Sequence, residues 1–239
     1  MLELNKLYLM DCMEGMKQFP DKYFELAVVD PPYGISISNN IGRRKRDKPS
    51  GHKKVTWDSL PPDDKYFDEL KRVSQNQIIW GANYFCMPPT KCFIVWRKPA
   101  ISENVSFSMC EYAWASFDET SKEVSILGEN NKIHPTQKPV ALYEWLLSRY
   151  AKPGDKILDT HVGSASSLIA CHRMGFDFVG FEIDSDYYRM ASERLEAERS
   201  QIRWEMWPGG MQYDPPLAVL GGAVLPDFCG DCGDDEKCH

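Results

Sequence analysis

No apolar run in this chain approaches the ~20 residues that a bilayer crossing requires. The first residues, Met1-Leu2-Glu3-Leu4-Asn5-Lys6, lack the basic-then-apolar layout of a secretory signal, so a cytoplasmic setting is the expectation. The spacing of a secreted disulfide framework is missing too. Cys12, Cys86, Cys92, Cys110 and Cys171 are scattered through apolar contexts and read as small, reduced core residues. There is no internal repeat, which sets solenoids and propellers aside. There is no general excess of positive charge either: a net charge of −7 excludes a uniformly basic nucleic-acid coat.

What the chain does have is uneven. Its 239 residues suit one sizeable α/β core. Between Asn39 and Trp57 lie Arg43, Arg44, Lys45, Arg46, Lys48, Lys53 and Lys54 against Asp47 alone. Such a local basic stripe on an acidic body can dock phosphates. It falls in a polar stretch, 35–64, with no hydrophobic period, expected to be a mobile loop. The boundaries expected are a domain over 1–203 with 35–64 as its insertion, and a Gly/Pro-rich acidic tail over 204–239.

Periodicity places strands at Leu26–Asp30, Gln77–Trp80, Cys92–Trp96 and Tyr112–Ser116, and a helix near Lys65–Val73. The polar segment Ser116–Lys132 reads as a connection. From there the pattern is stronger: helix Pro139–Tyr150, strand Lys156–Asp159, helix Ser164–Met174, strand Asp177–Phe181 and helix Asp184–Arg199. Strand, helix, strand and helix at these lengths make a βαβα unit, hence a parallel sheet covered by helices.

Two places carry chemistry. The apolar run Leu26-Ala27-Val28-Val29 ends in Asp30-Pro31-Pro32-Tyr33-Gly34. There a carboxylate can accept a hydrogen bond, the prolines fix a turn and leave a carbonyl unpaired, and the ring offers a stacking face. That set suits chemistry on a planar amine. A second Asp-Pro-Pro run, Asp214-Pro215-Pro216, has no apolar strand before it and no aromatic after it, and reads as a plain turn. The other place is Asp159-Thr160-His161-Val162-Gly163-Ser164-Ala165-Ser166, a strand end followed by small residues that open a helix. Small residues there let a ligand approach the backbone, and the helix N-terminus favours negative charge. Glu182 follows Asp159 by 23 residues, near the offset at which an acid meets a ribose diol in nucleotide-binding folds. An alternative makes Glu182 a cap of the next helix.

Taken together these segments resemble the amino-methylating DNA methyltransferases, which methylate adenine N6 or cytosine N4 from S-adenosyl-L-methionine. Asp30-Pro31-Pro32-Tyr33 looks like their catalytic tetrad. Asp159 to Ser166 looks like their cofactor loop, and Phe181-Glu182-Ile183-Asp184 like the acidic strand after it. His134-Pro135-Thr136-Gln137-Lys138-Pro139 is similar to the segment preceding that loop. Tyr8-Leu9-Met10-Asp11-Cys12 resembles the stretch whose acid lies near the cofactor adenine. Tetrad first and cofactor loop last matches the family's β-type order, over roughly residues 7–199.

The resemblance implies a Rossmann-like class I methyltransferase fold, a mostly parallel α/β sheet with helices on both faces. It also implies a cofactor site drawn from Asp11, Cys12, His134, Thr136, Lys138, Asp159, His161, Gly163, Ser164, Ala165, Ser166, Glu182 and Ile183. Thr136 and Lys138 are its candidates for the methionine end. It implies DNA as partner, held by the basic loop, a homodimer, and a flipped base stacked on Tyr33. An Asp-led tetrad points to adenine N6; cytosine N4 is the alternative within the family. A non-catalytic DNA-binding relative is the alternative outside it. The departures favour that last possibility: Thr160 stands where the family has proline, His161 where it has an aromatic, and Ala165 where it has a second glycine. Lastly, Cys229, Cys232, Cys238 and His239 invite a zinc reading, but adjacent Cys238 and His239 make awkward joint ligands, and an acidic terminus with incidental thiols is preferred.

Overall fold

The computed structural model describes residues 1–35, 60–101, 108–129 and 132–201. The basic run Arg43 to Lys54 and the terminal Cys/His group lie outside those residues, as does the tail boundary. Among the described residues no helix is long and apolar enough to cross a membrane.

Among the described residues eight strands form one sheet: β1 (Lys6–Leu9), β2 (Phe24–Val29), β3 (Ser74–Trp80), β4 (Cys92–Arg97), β5 (Cys110–Ala115), β6 (Lys122–Ser125), β7 (Lys156–Asp159) and β8 (Asp177–Glu182). Their spatial order is β1-β8-β7-β2-β3-β5-β4-β6. The strands from β1 to β3 run parallel in registers such as Leu9 opposite Glu182, Leu158 opposite Val179 and Ala27 opposite Leu158. β5 is antiparallel to both its neighbours, and β6 pairs parallel with β4.

Five α-helices among the described residues complete the core: α1 (Cys12–Met16), α2 (Asp64–Val73), α3 (Val140–Tyr150), α4 (Ser166–Met174) and α5 (Ser185–Ser200). The two-residue alternation of the strands divides them between two apolar layers. Leu26, Val28, Ile78 and Ile157 face a cluster built with Leu142 and Leu146 of α3, Leu168 and Ile169 of α4, and Ala191 and Leu195 of α5. Ala27, Val29, Ile79 and Leu158 face the other, with Met16 of α1 and Tyr66, Phe67, Leu70 and Val73 of α2. Burial on both faces is why these strands read as unbroken apolar runs rather than alternating ones.

Three expectations need correction. Ser116–Lys132 is more than a connection, because it contains β6. As an edge strand β6 buries only Val124, and its Lys-Glu-Val-Ser sequence carries no apolar signature. The short strand β1 at the opposite edge, Lys-Leu-Tyr-Leu, escaped because four residues are too few to establish a period. Helix α4 opens at Ser166 rather than Ser164, since Ala165 sits in the left-handed region at φ 62° and ends the turn there. That conformation costs an L-residue roughly 1–2 kcal/mol, which is what a glycine at this position would avoid.

Candidate active site

Parallel strands open their ligand-binding crevice at their carboxyl ends, where the chain direction switches across the sheet. Here β7 leads outward through α4 to β8, while β2 and β3 lie on its other side. Four acids therefore stand in a row at one rim: Asp11 after β1, Glu182 ending β8, Asp159 ending β7 and Asp30 after β2. They are up to 171 positions apart in sequence, and the sheet order alone makes them neighbours.

Each acid is held. Asp11 caps α1, accepting from the Met13 and Glu14 backbone N–H groups at 2.7 and 3.4 Å. Beside it, burial pushes the Cys12 thiol up to about 12, so it remains protonated. Glu182 accepts from the Gly163 N–H at 2.8 Å, fastening the loop after β7 to the end of β8. Its other oxygen takes the N–H groups of Ile183 and Asp184 at 3.0 and 2.9 Å. The cap of α5 is Asp184, not Glu182. Burial raises the Glu182 carboxyl above its ordinary value. Asp159 accepts from the His161 N–H at 3.0 Å and from the Ser167 hydroxyl, and burial raises its carboxyl to about 7.

Asp30 is set differently. Its Oδ1 accepts from the Tyr33 hydroxyl and its Oδ2 from the Lys138 ammonium, both at 2.5 Å. Lys138, only 3% exposed, also pairs with Glu111 of β5 at 3.0 Å and lies 5.2 Å from the Trp80 ring centroid. Burial works against its charge, but Asp30 and Glu111 outweigh it and the ammonium is raised. Glu111 bonds Lys98 as well; against the pull of burial, Lys138 and Lys98 hold its carboxyl at about 2. The result is an alternating row, Lys98, Glu111, Lys138, Asp30, in which each buried charge has an opposite neighbour.

The Tyr33 ring stacks on Tyr84 with centroids 4.8 Å apart and planes 15° from parallel. Tyr84, 44% exposed, follows β3 in a short 3₁₀ turn, Ala82–Tyr84. Gly81 opens that turn at φ 75°, and a Cβ there would stand 2.1 Å from the Tyr33 ring. The tyrosine thus lies directly against the backbone.

His134 is buried and packs edge-on to Tyr187 with centroids 4.4 Å apart; burial and then Lys138 lower it to about 4. Thr136 turns back onto it, with Oγ1 3.0 Å from Nδ1. A Cβ on Gly163, at φ 55°, would come within 3.6 Å of the His134 ring. Ser164 and Ser166 share a hydroxyl contact at 3.1 Å, and Arg194 of α5 binds the Ser164 carbonyl and Ser166 hydroxyl at 2.7 and 2.8 Å. Arg194 also pairs with Glu129 at 2.8 Å, which in turn accepts the first N–H of α3. Ile183 is exposed beside the rim.

The fold therefore brings together all the sequence-derived tetrad and cofactor-loop residues, and it sets Lys138 at Asp30. Sequence reasoning missed Glu111, Tyr66, Tyr84 and Arg194. Only Glu111 left a trace, as a lone acid in the otherwise apolar run Cys110–Ala115. Among the described residues no group of His, Cys, Asp and Glu could hold a metal ion.

A mostly parallel sheet of this order, lined with acids at its carboxyl rim, is the class I methyltransferase fold. Solved structures that share it include two relatives in fold. One is M1.HpyAVI in complex with SAM, at TM-score 0.51 and 21% identity over 79% of this chain and 98% of that one. The other is the cytosine-N4-specific PvuII DNA methyltransferase, at 0.54 and 14% over 81% and 90%. Residues 79–193 match the N6/N4 family model described as DNA methylase. Among curated relatives, the type II methyltransferase M.HpaI of Haemophilus parainfluenzae is 40% identical over 75 residues, which is 31% of this chain and 24% of that protein. The putative methylase YubD of Escherichia coli K12 is 24% identical over 215 residues, covering 78% of this chain and 88% of that one.

Proposed function

We propose that the chain is an S-adenosylmethionine-dependent DNA methyltransferase acting on the exocyclic N6 amine of adenine. The observation that carries this is Asp30, placed at the end of a buried strand with its carboxylate fixed by Tyr33 and Lys138, on the rim that also gathers Asp11, Asp159 and Glu182.

The residues suit a nucleoside-containing methyl donor. Backbone at Gly163 and Ala165 turns through the left-handed region, so the loop after β7 folds back tightly, with bare backbone at Gly163. Glu182 and Asp11 are the acids for a ribose and an adenine, and Thr136 is the candidate for the methionine end; Lys138, expected there too, is instead taken up by Asp30 and Glu111. When bound, that group supplies an electrophilic methyl on a sulfonium.

The chain's own task is to make an amine attack it. An aromatic amine is a poor nucleophile because its lone pair is delocalised into the ring. Asp30 and the Pro31 carbonyl each accept one of its two N–H groups, which draws the nitrogen toward tetrahedral geometry. Positive charge develops on that nitrogen during transfer, and a pre-fixed carboxylate stabilises it without reorganising. Lys138 keeps Asp30 in place, so in-line positioning contributes much of the rate. The base is reached by flipping out of the duplex and stacking at the aromatic pair Tyr33 and Tyr84. The basic residues Arg43 to Lys54 are assigned to phosphates, and a homodimer is carried by the family likeness.

The test is incubation with DNA and methyl-labelled S-adenosylmethionine, followed by nucleoside analysis. Label in N6-methyladenine supports the proposal, label in N4-methylcytosine transfers it to the other amine, and no label in either overturns it. Asp30→Ala should abolish incorporation while leaving DNA affinity largely intact. A non-catalytic DNA-binding relative would be indifferent to that substitution.

A further inference from the structure

The two largest departures of the loop after β7 from the pattern it resembles are neighbours, Thr160 and His161, and the structure joins them. The Thr160 Oγ1 lies 2.9 Å from His161 Nδ1 and 2.7 Å from the hydroxyl of Tyr66, which arrives from α2, 94 residues away. Tyr66 and Thr160 are 3% and 2% exposed, and the Tyr66 ring meets the His161 ring edge-on at 5.4 Å.

The direction of this chain of bonds follows from counting protons. A buried hydroxyl proton needs an acceptor. Among the described residues the Tyr66 hydroxyl has one partner, the Thr160 oxygen, so Tyr66 donates to it. The Thr160 proton then has one acceptor left, His161 Nδ1. His161 is neutral, since burial lowers it to about 4, so its single ring proton sits on Nε2. That Nε2–H has no partner among the described residues. Nor is it sealed away, because the Trp80 indole nitrogen is the only buried, unpartnered side-chain donor or acceptor among them.

We infer that Tyr66 and Thr160 are positioning residues that lock His161 as an Nε2–H donor, and that this donor recognises a hydrogen-bond acceptor on the nucleoside part of the methyl donor. An aromatic hydrocarbon at 161 offers only a flat face; His161 keeps the face and adds a directed polar contact. Thr160, in place of a proline, supplies the hydroxyl that holds the tautomer. The two departures are one device, not decay. The inference rests on the cofactor reading above.

The test uses the full chain with S-adenosylmethionine as titrant, in calorimetry, and nitrogen-15 NMR of the histidine rings, with His161→Phe giving the assignment. The unaltered chain should bind and show His161 with its proton on Nε2. His161→Phe should weaken binding about fivefold, the worth of one hydrogen bond. Tyr66→Phe and Thr160→Val should weaken it by about twofold to fivefold and shift the His161 signals toward a tautomer mixture, an effect that loss of packing alone would not produce. A proton on Nδ1 in the unaltered chain would overturn the inference. So would a His161→Phe affinity equal to that of the unaltered chain, or tautomer signals unmoved by both hydroxyl deletions. If the unaltered chain does not bind S-adenosylmethionine, the cofactor reading itself fails and this role with it.

Discussion

Glu111 and Asp159 are both carboxylates withdrawn from water, and their surroundings treat them in opposite ways. Glu111 has two lysines against it and stays ionised, down to about 2. Asp159 has a hydroxyl and a backbone N–H, with no cation among its hydrogen-bond partners, and burial raises it to about 7. The native state therefore holds the Asp159 proton after the unfolded chain, with an ordinary value of 3.8, has lost it. Stability contributed by this group is present below about pH 4 and is lost as pH rises toward 7 and through it, at up to about 1.4 kcal/mol per pH unit. Asp159→Asn should remove that part of the slope, making the variant more stable than the unaltered chain at pH 8 relative to pH 5. Urea titrations of both chains at those two pH values check it; parallel slopes would contradict it. The carboxylate was legible in the sequence as a strand-end acid. Its protonation was not, because that depends on which charges the fold leaves out of reach.

Among the elements, β3 and its following turn show how a backbone feature supports a side chain elsewhere. Gly81 leaves β3 with positive φ, donates its N–H to the Tyr112 carbonyl at 2.9 Å, and presents bare backbone to the Tyr33 ring. Gly81→Ala would set a methyl 2.1 Å from that ring and force a β-carbon into the left-handed region. The expected cost is about 2–4 kcal/mol, read as a lower denaturation midpoint at unchanged m-value. An ordinary surface-loop glycine would give less than about 1 kcal/mol. Central elements were legible because apolar runs and the 3.6-residue period of α3 reflect burial directly. The edge strands were not: β6 buries one side chain and needs little apolar sequence, and β1, four residues long, is too short to show a period. The start of α4 was displaced because Ala165 takes a conformation that its residue type does not announce.

For the molecule as a whole, folding collects Asp11, Asp30, Asp159 and Glu182 at one rim, where Lys138 pairs with Asp30. A site built this way is completed by its ligand. S-adenosylmethionine at a hundred times its dissociation constant should stabilise the native chain by about 2.7 kcal/mol, raising the thermal midpoint by roughly 5–10 °C. A thermal melt with and without it measures this, and an unmoved midpoint at saturating concentration would contradict the cofactor reading. The sequence by itself determined the kinds of element, the apolar strands that must be covered on both faces, and the acids and small residues at their ends, because these follow from local period and composition. Only the tertiary structure decided the partners. Lys138 meets Asp30 across 108 residues and Tyr66 meets Thr160 across 94, because β2 lies beside β7 in space and α2 packs over both. Hydrogen bonds between side chains brought together by sheet order leave no period in the sequence, so they became visible only once the strands were in place.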